Sequence, residues 1–147
     1  MQWMPHATVA AIVEDHGKFL LVEEITDRGN RFNQPAGHLE DNETLIEAVI
    51  RETLEETAYS FKPESLLGIY HWRHEHNDTT YLRFAYIGSV SNHQPNLVLD
   101  EGIVRAVWMT AEEMRNNAML MRSPQVLRCV EDYLTGQQFP LSVVTHL

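Results

Sequence analysis

The amino-acid sequence predicts an α/β fold in which a mixed β-sheet carries helices on its faces. A length of 147 residues and a hydrophobic content of 44% suit one compact domain, which we place over residues 1–147. Segments of strand character precede, separate and follow the helical segments without a strict strand-helix alternation. A mixed sheet is therefore favoured over a doubly wound parallel sheet.

The N-terminal segment is predicted to form a β-hairpin. Residues 8–13 are small or β-branched, residues 15–18 have the composition of a turn, and an apolar run follows over residues 19–24. After a polar loop, residues 32–35 are predicted to be extended, and Gly37 interrupts this stretch.

An amphipathic helix is predicted over residues 43–57, with Asn42 as its N-cap. Apolar side chains recur there at helical spacing, which indicates a buried stripe. The stripe consists of Ile46, Val49, Ile50, Thr53 and Leu54.

The second half of the chain is predicted to contain strands and two shorter helices. The strands are expected over residues 66–72, 81–90 and 103–109. Thr110 and Glu113 have the spacing of a capping box, so the first of these helices begins there. Ser123 followed by Pro124 is the start of the second, which Gly136 ends.

The charge of the chain restricts its partners. The sequence contains 21 acidic and 11 basic residues, and its formal net charge is -10 at pH 7. This charge argues against a nucleic-acid polymer or an anionic membrane as the main partner. It would also repel a phosphate ester, so divalent cations are expected between such a small-molecule substrate and the protein.

Cysteine content and apolar runs indicate the compartment. Cys129 is the only cysteine, so no disulfide can form within the chain. The first residues lack the basic and apolar regions of a signal peptide, and no apolar run is long enough to span a bilayer. The sequence therefore predicts a soluble, cytoplasmic protein, expected to be a monomer or a homodimer.

The predicted helix carries Glu52, Glu55 and Glu56 on one side, away from the centre of the apolar stripe. Arg51 is the only basic residue between residues 43 and 57, and like charges at these spacings cost roughly 0.2–0.5 kcal/mol per pair. A bound cation would offset this repulsion. Mg²⁺ fits because it prefers carboxylates, waters and phosphate oxygens, and Mn²⁺ is the expected substitute. A solvated acidic face is the alternative for such a helix taken alone.

The residues around this helix resemble the Nudix box, the motif of the Nudix hydrolase superfamily. The motif reads glycine, five residues, Glu, seven residues, Arg-Glu, two residues, Glu-Glu, and its positions are matched by Gly37, Glu43, Arg51, Glu52, Glu55 and Glu56. Thr53 and Tyr59 depart from it where an aliphatic residue is usual, and Ala58 where glycine is usual. Because alanine adopts a left-handed conformation less readily than glycine, Ala58 leaves the helix exit open. The resemblance implies a Nudix-type α/β/α sandwich.

The resemblance also assigns roles residue by residue. The metal ligands that it implies within the box are the Gly37 carbonyl, Glu52, Glu55 and Glu56, and the three glutamates are also catalytic candidates. Arg51 completes the catalytic set, because its planar guanidinium can hold Glu43 or a ligand carboxylate in place. A surface ion pair between Arg51 and Glu47 is the alternative.

Nudix enzymes often have a further acidic residue in a loop before a late strand. Asp100 and Glu101 precede the strand predicted at residues 103–109. We favour Glu101 as a metal ligand and catalytic residue, because the family pattern more often has glutamate there, and a plain turn is the alternative. The general base stays open among Glu52, Glu56 and Glu101.

Substrate-binding residues are expected outside the box. Arg83 lies in a predicted strand of apolar and aromatic residues, where it needs solvent or an anionic partner such as a substrate phosphate. The other substrate-binding candidates are Arg31, Phe32 and His38. Arg28, in the loop before the box, is a weaker candidate of the same kind as Arg83. Tyr70 and Trp72 could stack on a heteroaromatic ring, although aromatic residues on strands more commonly belong to the core. A zinc cluster of His71, His74 and His76 is disfavoured, because no cysteine or second histidine pair completes it.

The likeness extends beyond the box to the bacterial NudJ-type phosphatases. The similar stretches are residues 5–10, 17–24, 33–40, 81–84, 122–124 and 136–141. This resemblance implies a hydrolase of nucleoside tri- and diphosphates that releases orthophosphate, with activity on hydroxymethylpyrimidine diphosphate and thiamin diphosphate. The alternatives are a pyrophosphatase for ADP-ribose or dinucleoside polyphosphates, and a Nudix-fold nucleotide sensor without turnover.

Overall fold

A computed structural model describes residues 2–147 and confirms the α/β fold with a mixed sheet. The helices are α1 (Leu45–Thr57), α2 (Ala111–Asn116) and α3 (Pro124–Leu134), with short 3₁₀ turns at Ala118–Leu120 and Leu141–Val143. The strands are β1 (His6–Ile12), β2 (Glu14–Asp15), β3 (Lys18–Thr26), β4 (Gly29–Asn33), β5 (Ala36–His38), β6 (Ser60–Arg73), β7 (Thr80–Ser91) and β8 (Ile103–Thr110). Within residues 2–147, no helix combines the length and apolar character needed to cross a membrane.

The strands form two four-stranded sheets. In the first, the order is β5-β1-β7-β6, where β1 and β7 are parallel and the other pairs are antiparallel. In the second, β3 pairs antiparallel with β2, β4 and β8. The long β6–β7 hairpin extends the first sheet beyond the strands predicted from sequence, which began later in β6.

The predicted N-terminal hairpin is wrong in its pairing. β1 pairs with β7 from His6 to Ile12 and with β5, whereas only the two-residue β2 turns back onto β3. Residues 8–13 are buried on both faces, which suits an inner strand of a mixed sheet. A parallel partner reached through a long crossover leaves no local signal in the sequence.

The predicted start of α1 is also wrong, by two residues. The N-cap is Thr44, whose hydroxyl accepts a hydrogen bond from the Glu47 N–H at 3.0 Å. The Glu47 carboxylate in turn accepts one from the Thr44 N–H at 2.8 Å, which completes a capping box. Asn42 instead adopts a left-handed φ of 65° in the turn before the helix.

The predictions for the C-terminal elements are confirmed. β8 follows the predicted range closely, and Thr110 with Glu113 forms the capping box of α2. Ser123 is the N-cap of α3 with Pro124 at its first position, and Gly136 lies beyond its end with a φ of 85°.

Helices cover both faces of the strands. Val9 and Ala11 of β1 belong to an apolar cluster with Val49 of α1, whereas Ile12 belongs to a second cluster with Val126 of α3. Because side chains alternate along a strand, β1 contributes to both layers. The architecture is the α/β/α sandwich that the resemblance implied, and it places α1 beside β1 and β5.

Candidate active site

A cleft of about 920 Å³ lies between one face of the first sheet, β3 and α1. Its lining combines Glu52 and Glu56 of α1 with Glu24 of β3 and Arg83 of β7. A second hollow of about 820 Å³ adjoins it and shares several lining residues, among them Trp72. Acidic and basic side chains from distant segments therefore meet in one concave site.

Three acidic side chains form a close group beside the cleft. One carboxylate oxygen from each of Glu52, Glu55 and Asp100 lies within 4.8 Å of the other two. Helical spacing places the first two on one side of α1, and the loop before β8 supplies the third. Such hard oxygen donors suit a divalent cation.

The close approach of β5 to α1 explains the glycine at residue 37. A β-carbon at this position would overlap the carboxylate of Glu52. Gly37 does not have a positive φ, so the contact with the Glu52 carboxylate, rather than backbone conformation, disfavours a larger residue. The predicted ligand Gly37 is therefore in direct contact with a second predicted ligand.

Arg51 holds three of the four glutamates of the motif together. Its Nε and Nη2 donate to the two carboxylate oxygens of Glu43 at 3.0 and 2.7 Å. Its Nη1 donates to Glu52 at 2.9 Å and to Glu55 at 2.7 Å. The hydrogen bond to Glu43 is the main reason why the pKa of Arg51 is raised. The alternative pairing with Glu47 does not form, because that carboxylate belongs to the capping box.

Glu56 is a buried carboxyl group with an 8% exposed fraction. Its Oε1 accepts a hydrogen bond from the Ala36 N–H at 3.0 Å. Burial raises the pKa of Glu56 to about 9, with further contributions from the charges of Glu52, Glu24 and Asp100 and an opposing one from the Ala36 hydrogen bond. The site therefore disfavours an ionised Glu56 unless a cation is near.

The neighbouring carboxyl groups show the same effect. Burial raises the pKa of Glu52 and of Asp100, although Arg51 acts in the opposite direction on both. Carboxylates that are close together and partly withdrawn from water are stabilised in their ionised form by a positive ion. The residues present thus fit a hard divalent cation.

Glu24 is a cleft residue that sequence reasoning missed. One of its oxygens lies 3.1 Å from Nη1 of Arg122, whereas Oε1 is buried without a hydrogen-bond partner. Strand alternation is the sequence signal that could have identified it, because adjacent residues on a strand lie on opposite faces. Glu23 pairs with Arg105 on the other face of β3, with Nε of Arg105 located 2.8 Å from the Glu23 carboxylate. Glu24 therefore contributes a further negative charge to the cleft.

The structure places Asp100, rather than Glu101, close to Glu52 and Glu55, whereas the residue chosen from sequence was Glu101. The Asp100 N–H donates to the Glu55 carbonyl at 3.0 Å, which docks the loop on the end of α1. The side chain of Asp100 joins the carboxylate group, whereas Glu101 is exposed and is not part of that group. The turn at Gly102, with a φ of 89°, then leads into β8.

We expect Asp100→Asn to lower turnover more than Glu101→Gln. The first change removes a charge from the carboxylate group, and losing a charged partner of this kind corresponds to roughly a tenfold to hundredfold loss. The second change alters an exposed side chain of the same loop. Steady-state kinetics of the two variants, assayed side by side, checks the order, and a larger loss for Glu101→Gln would reverse this assignment.

Arg83 is a buried cation on the cleft wall. Only 4% of its surface is exposed, and it lies on β7, an inner strand of the first sheet. Its Nη1 donates to Gln34 Oε1 at 2.8 Å and its Nη2 to Asn33 Oδ1 at 2.9 Å, while its Nε has no partner. An edge-strand arginine facing water, the alternative weighed from sequence, does not describe this residue.

The other predicted substrate-binding residues lie in different surroundings. His38 lines the cleft, with its Nε2 located 3.1 Å from Nδ1 of His6. Partial burial and the neighbouring His6 lower the pKa of His38. Phe32 packs against the hydrophobic core, and Arg31 donates to the Asn30 carbonyl at 2.9 Å. Neither Phe32 nor Arg31 lines the cleft.

An aromatic surface borders both hollows. Trp72 and Tyr81 stack with their ring centroids 5.6 Å apart and an interplanar angle of 17°. Tyr70, by contrast, packs against the core and donates to Asp132 at 2.7 Å. His74 lies beside Trp72, and in residues 2–147 no metal-type group of three includes the histidines considered for zinc.

The three departures from the motif have local explanations. The hydroxyl of Thr53 donates to a backbone carbonyl one turn earlier in α1, at 2.7 Å. Ala58 adopts the left-handed conformation with a φ of 63°, and its N–H donates to the Leu54 carbonyl at 2.9 Å. Tyr59 stacks on His93 with a centroid distance of 4.4 Å. The helix therefore ends as a glycine would end it.

Comparisons with known proteins agree with this geometry. A family model described as the NUDIX domain matches residues 4–128. The chain is 39% identical over 140 residues to Phosphatase NudJ of Escherichia coli K12. The matched region covers 95% of this chain and 90% of that relative.

Solved structures are similar as well. A NUDIX hydrolase from Nitrosomonas europaea is 48% identical, with a TM-score of 0.95 and coverage of 98% of both chains. A MutT NUDIX hydrolase from Burkholderia pseudomallei has a TM-score of 0.71 at 17% identity, covering 88% of this chain and 98% of that one. At that identity the second similarity shows the fold alone.

Proposed function

Because this chain belongs to the Nudix family of hydrolases, which act on phosphorus-containing anhydrides, we propose that it hydrolyses nucleoside tri- and diphosphates with Mg²⁺ and releases orthophosphate. Hydroxymethylpyrimidine diphosphate and thiamin diphosphate are proposed as further substrates, in keeping with the similarity to Phosphatase NudJ. One observation carries the proposal: a group of three carboxylates borders a cleft that also contains a buried arginine.

The two kinds of charge have complementary tasks. Glu52, Glu55 and Asp100 would hold the metal, with Glu56 and the Gly37 carbonyl beside them. When bound, divalent ions neutralise phosphate oxygens and make a nearby water more acidic. Arg51 keeps the carboxylates of α1 in register through its fork of hydrogen bonds.

The chain's own residues would bind the substrate and move the proton. Arg83 offers a fixed positive charge to a phosphate group on the cleft wall. A carboxylate accepts the proton of the attacking water, and Glu52 and Glu56 both line the cleft where it would enter. The stacked pair of Trp72 and Tyr81 provides a flat surface for a heteroaromatic ring.

A phosphate-release screen with Mg²⁺ tests the proposal. The panel consists of nucleoside di- and triphosphates, thiamin diphosphate, ADP-ribose and dinucleoside polyphosphates. We expect orthophosphate from the nucleoside di- and triphosphates. Products limited to mononucleotides, obtained from linked substrates alone, would instead identify an ADP-ribose or dinucleoside polyphosphate pyrophosphatase. Nucleotide binding without any phosphate release would identify a sensor.

A further inference from the structure

The charge of Arg83 is not cancelled by a neighbouring carboxylate in the described chain, residues 2–147. Its two terminal nitrogens donate to side-chain amide oxygens, which are neutral, and its Nε is buried without a partner. Arginine stays protonated in proteins, so a full positive charge is held in a site with a 4% exposed fraction. A buried charge without a counter-ion is costly, and its presence points to an anion that arrives from outside.

Two of the other cations near the site are paired with acids, whereas Arg28 lines the cleft without an ion pair among the described residues. Arg51 contacts Glu43, Glu52 and Glu55, and Arg122 contacts Glu24. With 21 acidic and 11 basic residues in the chain, a carboxylate partner is the common outcome for an arginine. The neutral amide partners of Arg83 therefore distinguish it from the arginines whose charge is neutralised by an ion pair.

The two amide side chains are themselves placed by the fold. Gln34 is 1% exposed, and its Nε2 donates to the Val126 carbonyl of α3 at 2.8 Å, which fixes the direction of the oxygen that faces Arg83. Asn33 ends β4, where its backbone pairs with Val22, and its side chain lines the cleft. A guanidinium held by two such oxygens keeps its orientation without an ion pair.

We propose that Asn33 and Gln34 are positioning residues, which orient Arg83 through neutral acceptors so that its charge is reserved for a phosphate group of the substrate. This inference rests on the proposed phosphohydrolase function, since it needs an anionic substrate in the cleft. The amides act through Arg83 and do not themselves contact the reacting atoms. Their neutrality, rather than their ability to hydrogen-bond, is the property that matters.

Substitution of Asn33 separates neutrality from hydrogen bonding. Asn33→Asp keeps the size and the accepting oxygen but adds a negative charge 2.9 Å from the guanidinium, whereas Asn33→Ala removes the acceptor. We expect the aspartate variant to lose about tenfold to a hundredfold in kcat/KM, more than the alanine variant, mainly through KM. We expect the reverse order in stability, because aspartate supplies an ion pair to a buried cation. Asn33 is preferable to Gln34 here, since Gln34 has a second hydrogen bond to lose.

A purely structural role would give one order in both measurements. In that case Asn33→Asp would have both a higher unfolding temperature and a higher kcat/KM than Asn33→Ala, and that result would overturn the inference. Asn96→Asp adds the same charge in an exposed loop that does not line the cleft, and it should leave kcat/KM unchanged. Equal losses in Asn96→Asp and Asn33→Asp would attribute the effect to net charge and likewise overturn the inference.

Calorimetric binding of inorganic pyrophosphate in the presence of Mg²⁺ gives a readout that does not depend on turnover. The affinity should fall in the order wild type, Asn33→Ala, Asn33→Asp. If the wild-type protein hydrolyses none of the screened substrates but the affinities follow this order, the proposed hydrolysis fails, while the role of the amides in binding a phosphate group stands. If hydrolysis is found but Asn33→Asp binds pyrophosphate as well as wild type, the proposed function stands and the inference fails.

Discussion

Replacing Glu56 by glutamine is expected to lower turnover at least about a hundredfold, the scale of losing a metal ligand or a general base. Glu55→Gln should have a comparable effect, because it removes one of the three carboxylates that lie within 4.8 Å of one another. Both changes preserve side-chain size. Steady-state kinetics with a nucleoside diphosphate and Mg²⁺ measures the loss.

Folding should survive the Glu56 substitution, since the Ala36 N–H can donate to the amide oxygen of glutamine as it does to Oε1 of Glu56. Without bound metal, Glu56→Gln should even have a higher free energy of unfolding than wild type over a defined pH range. Burial raises the pKa of Glu56 from 4.5 to about 9, so above pH 4.5 the unfolded chain releases a proton that the folded chain retains. The stability of wild type therefore falls as pH rises between these values, and Glu56→Gln lacks this dependence. Thermal unfolding in the presence of a chelator measures it.

Mg²⁺ supplies the matching control. A metal that binds the folded protein raises the unfolding temperature, and this rise should shrink in Glu55→Gln and Glu56→Gln. Glu112→Gln changes an exposed glutamate at the start of α2 and should retain both the activity and the Mg²⁺ response. Near wild-type turnover in both α1 variants would contradict the assignment of the metal site to this helix.

Residues on a single helix were the part of the site that sequence could predict. The spacing of Glu52, Glu55 and Glu56 determines which side of α1 they share, so a linear motif is enough to group them. Arg51 was expected to hold Glu43 or a ligand carboxylate, and it donates to Glu43 as well as to Glu52 and Glu55. Local chemistry of this kind depends little on the rest of the fold.

Residues from other elements could not be grouped in the same way. Arg83 and Asn33 are 50 positions apart, and they meet because β7 and β4 border the same cleft. The error in pairing β1 has the same origin, since its long-range partner β7 leaves no trace in the local pattern. Asp100 was passed over because its placement depends on a hydrogen bond between its loop and the end of α1, which spacing does not reveal.

Gly37→Ala is expected to damage the carboxylate group of the site although it adds only one carbon atom. The φ of Gly37 is not positive, so alanine has no conformational penalty there. Its β-carbon would overlap the Glu52 carboxylate, which must then leave its present position in the group with Glu55 and Asp100. We expect a loss of about 1–3 kcal/mol in the free energy of unfolding and about a hundredfold in turnover. Denaturant unfolding and steady-state kinetics measure the two effects.

Gly136→Ala is the matched control, because it should lower stability through backbone conformation instead of steric overlap. A β-carbon at Gly136 would meet nothing within 4 Å, but its φ of 85° is unfavourable for alanine. That variant should lose about 1–2 kcal/mol of stability through backbone strain and keep its turnover. Comparable turnover losses in the two variants would show that destabilisation, rather than displacement of Glu52, lowers the activity.

A double variant isolates the contact between Gly37 and Glu52. Glu52→Ala removes the carboxylate that the new β-carbon would overlap, so adding Gly37→Ala to it should cost much less stability than Gly37→Ala costs in wild type. This difference is the coupling energy of the pair. Turnover should stay low in the double variant, because the steric overlap is removed but the Glu52 carboxylate is still absent. Equal stability costs in the two backgrounds would mean that the glycine is required for a reason other than the approach of Glu52.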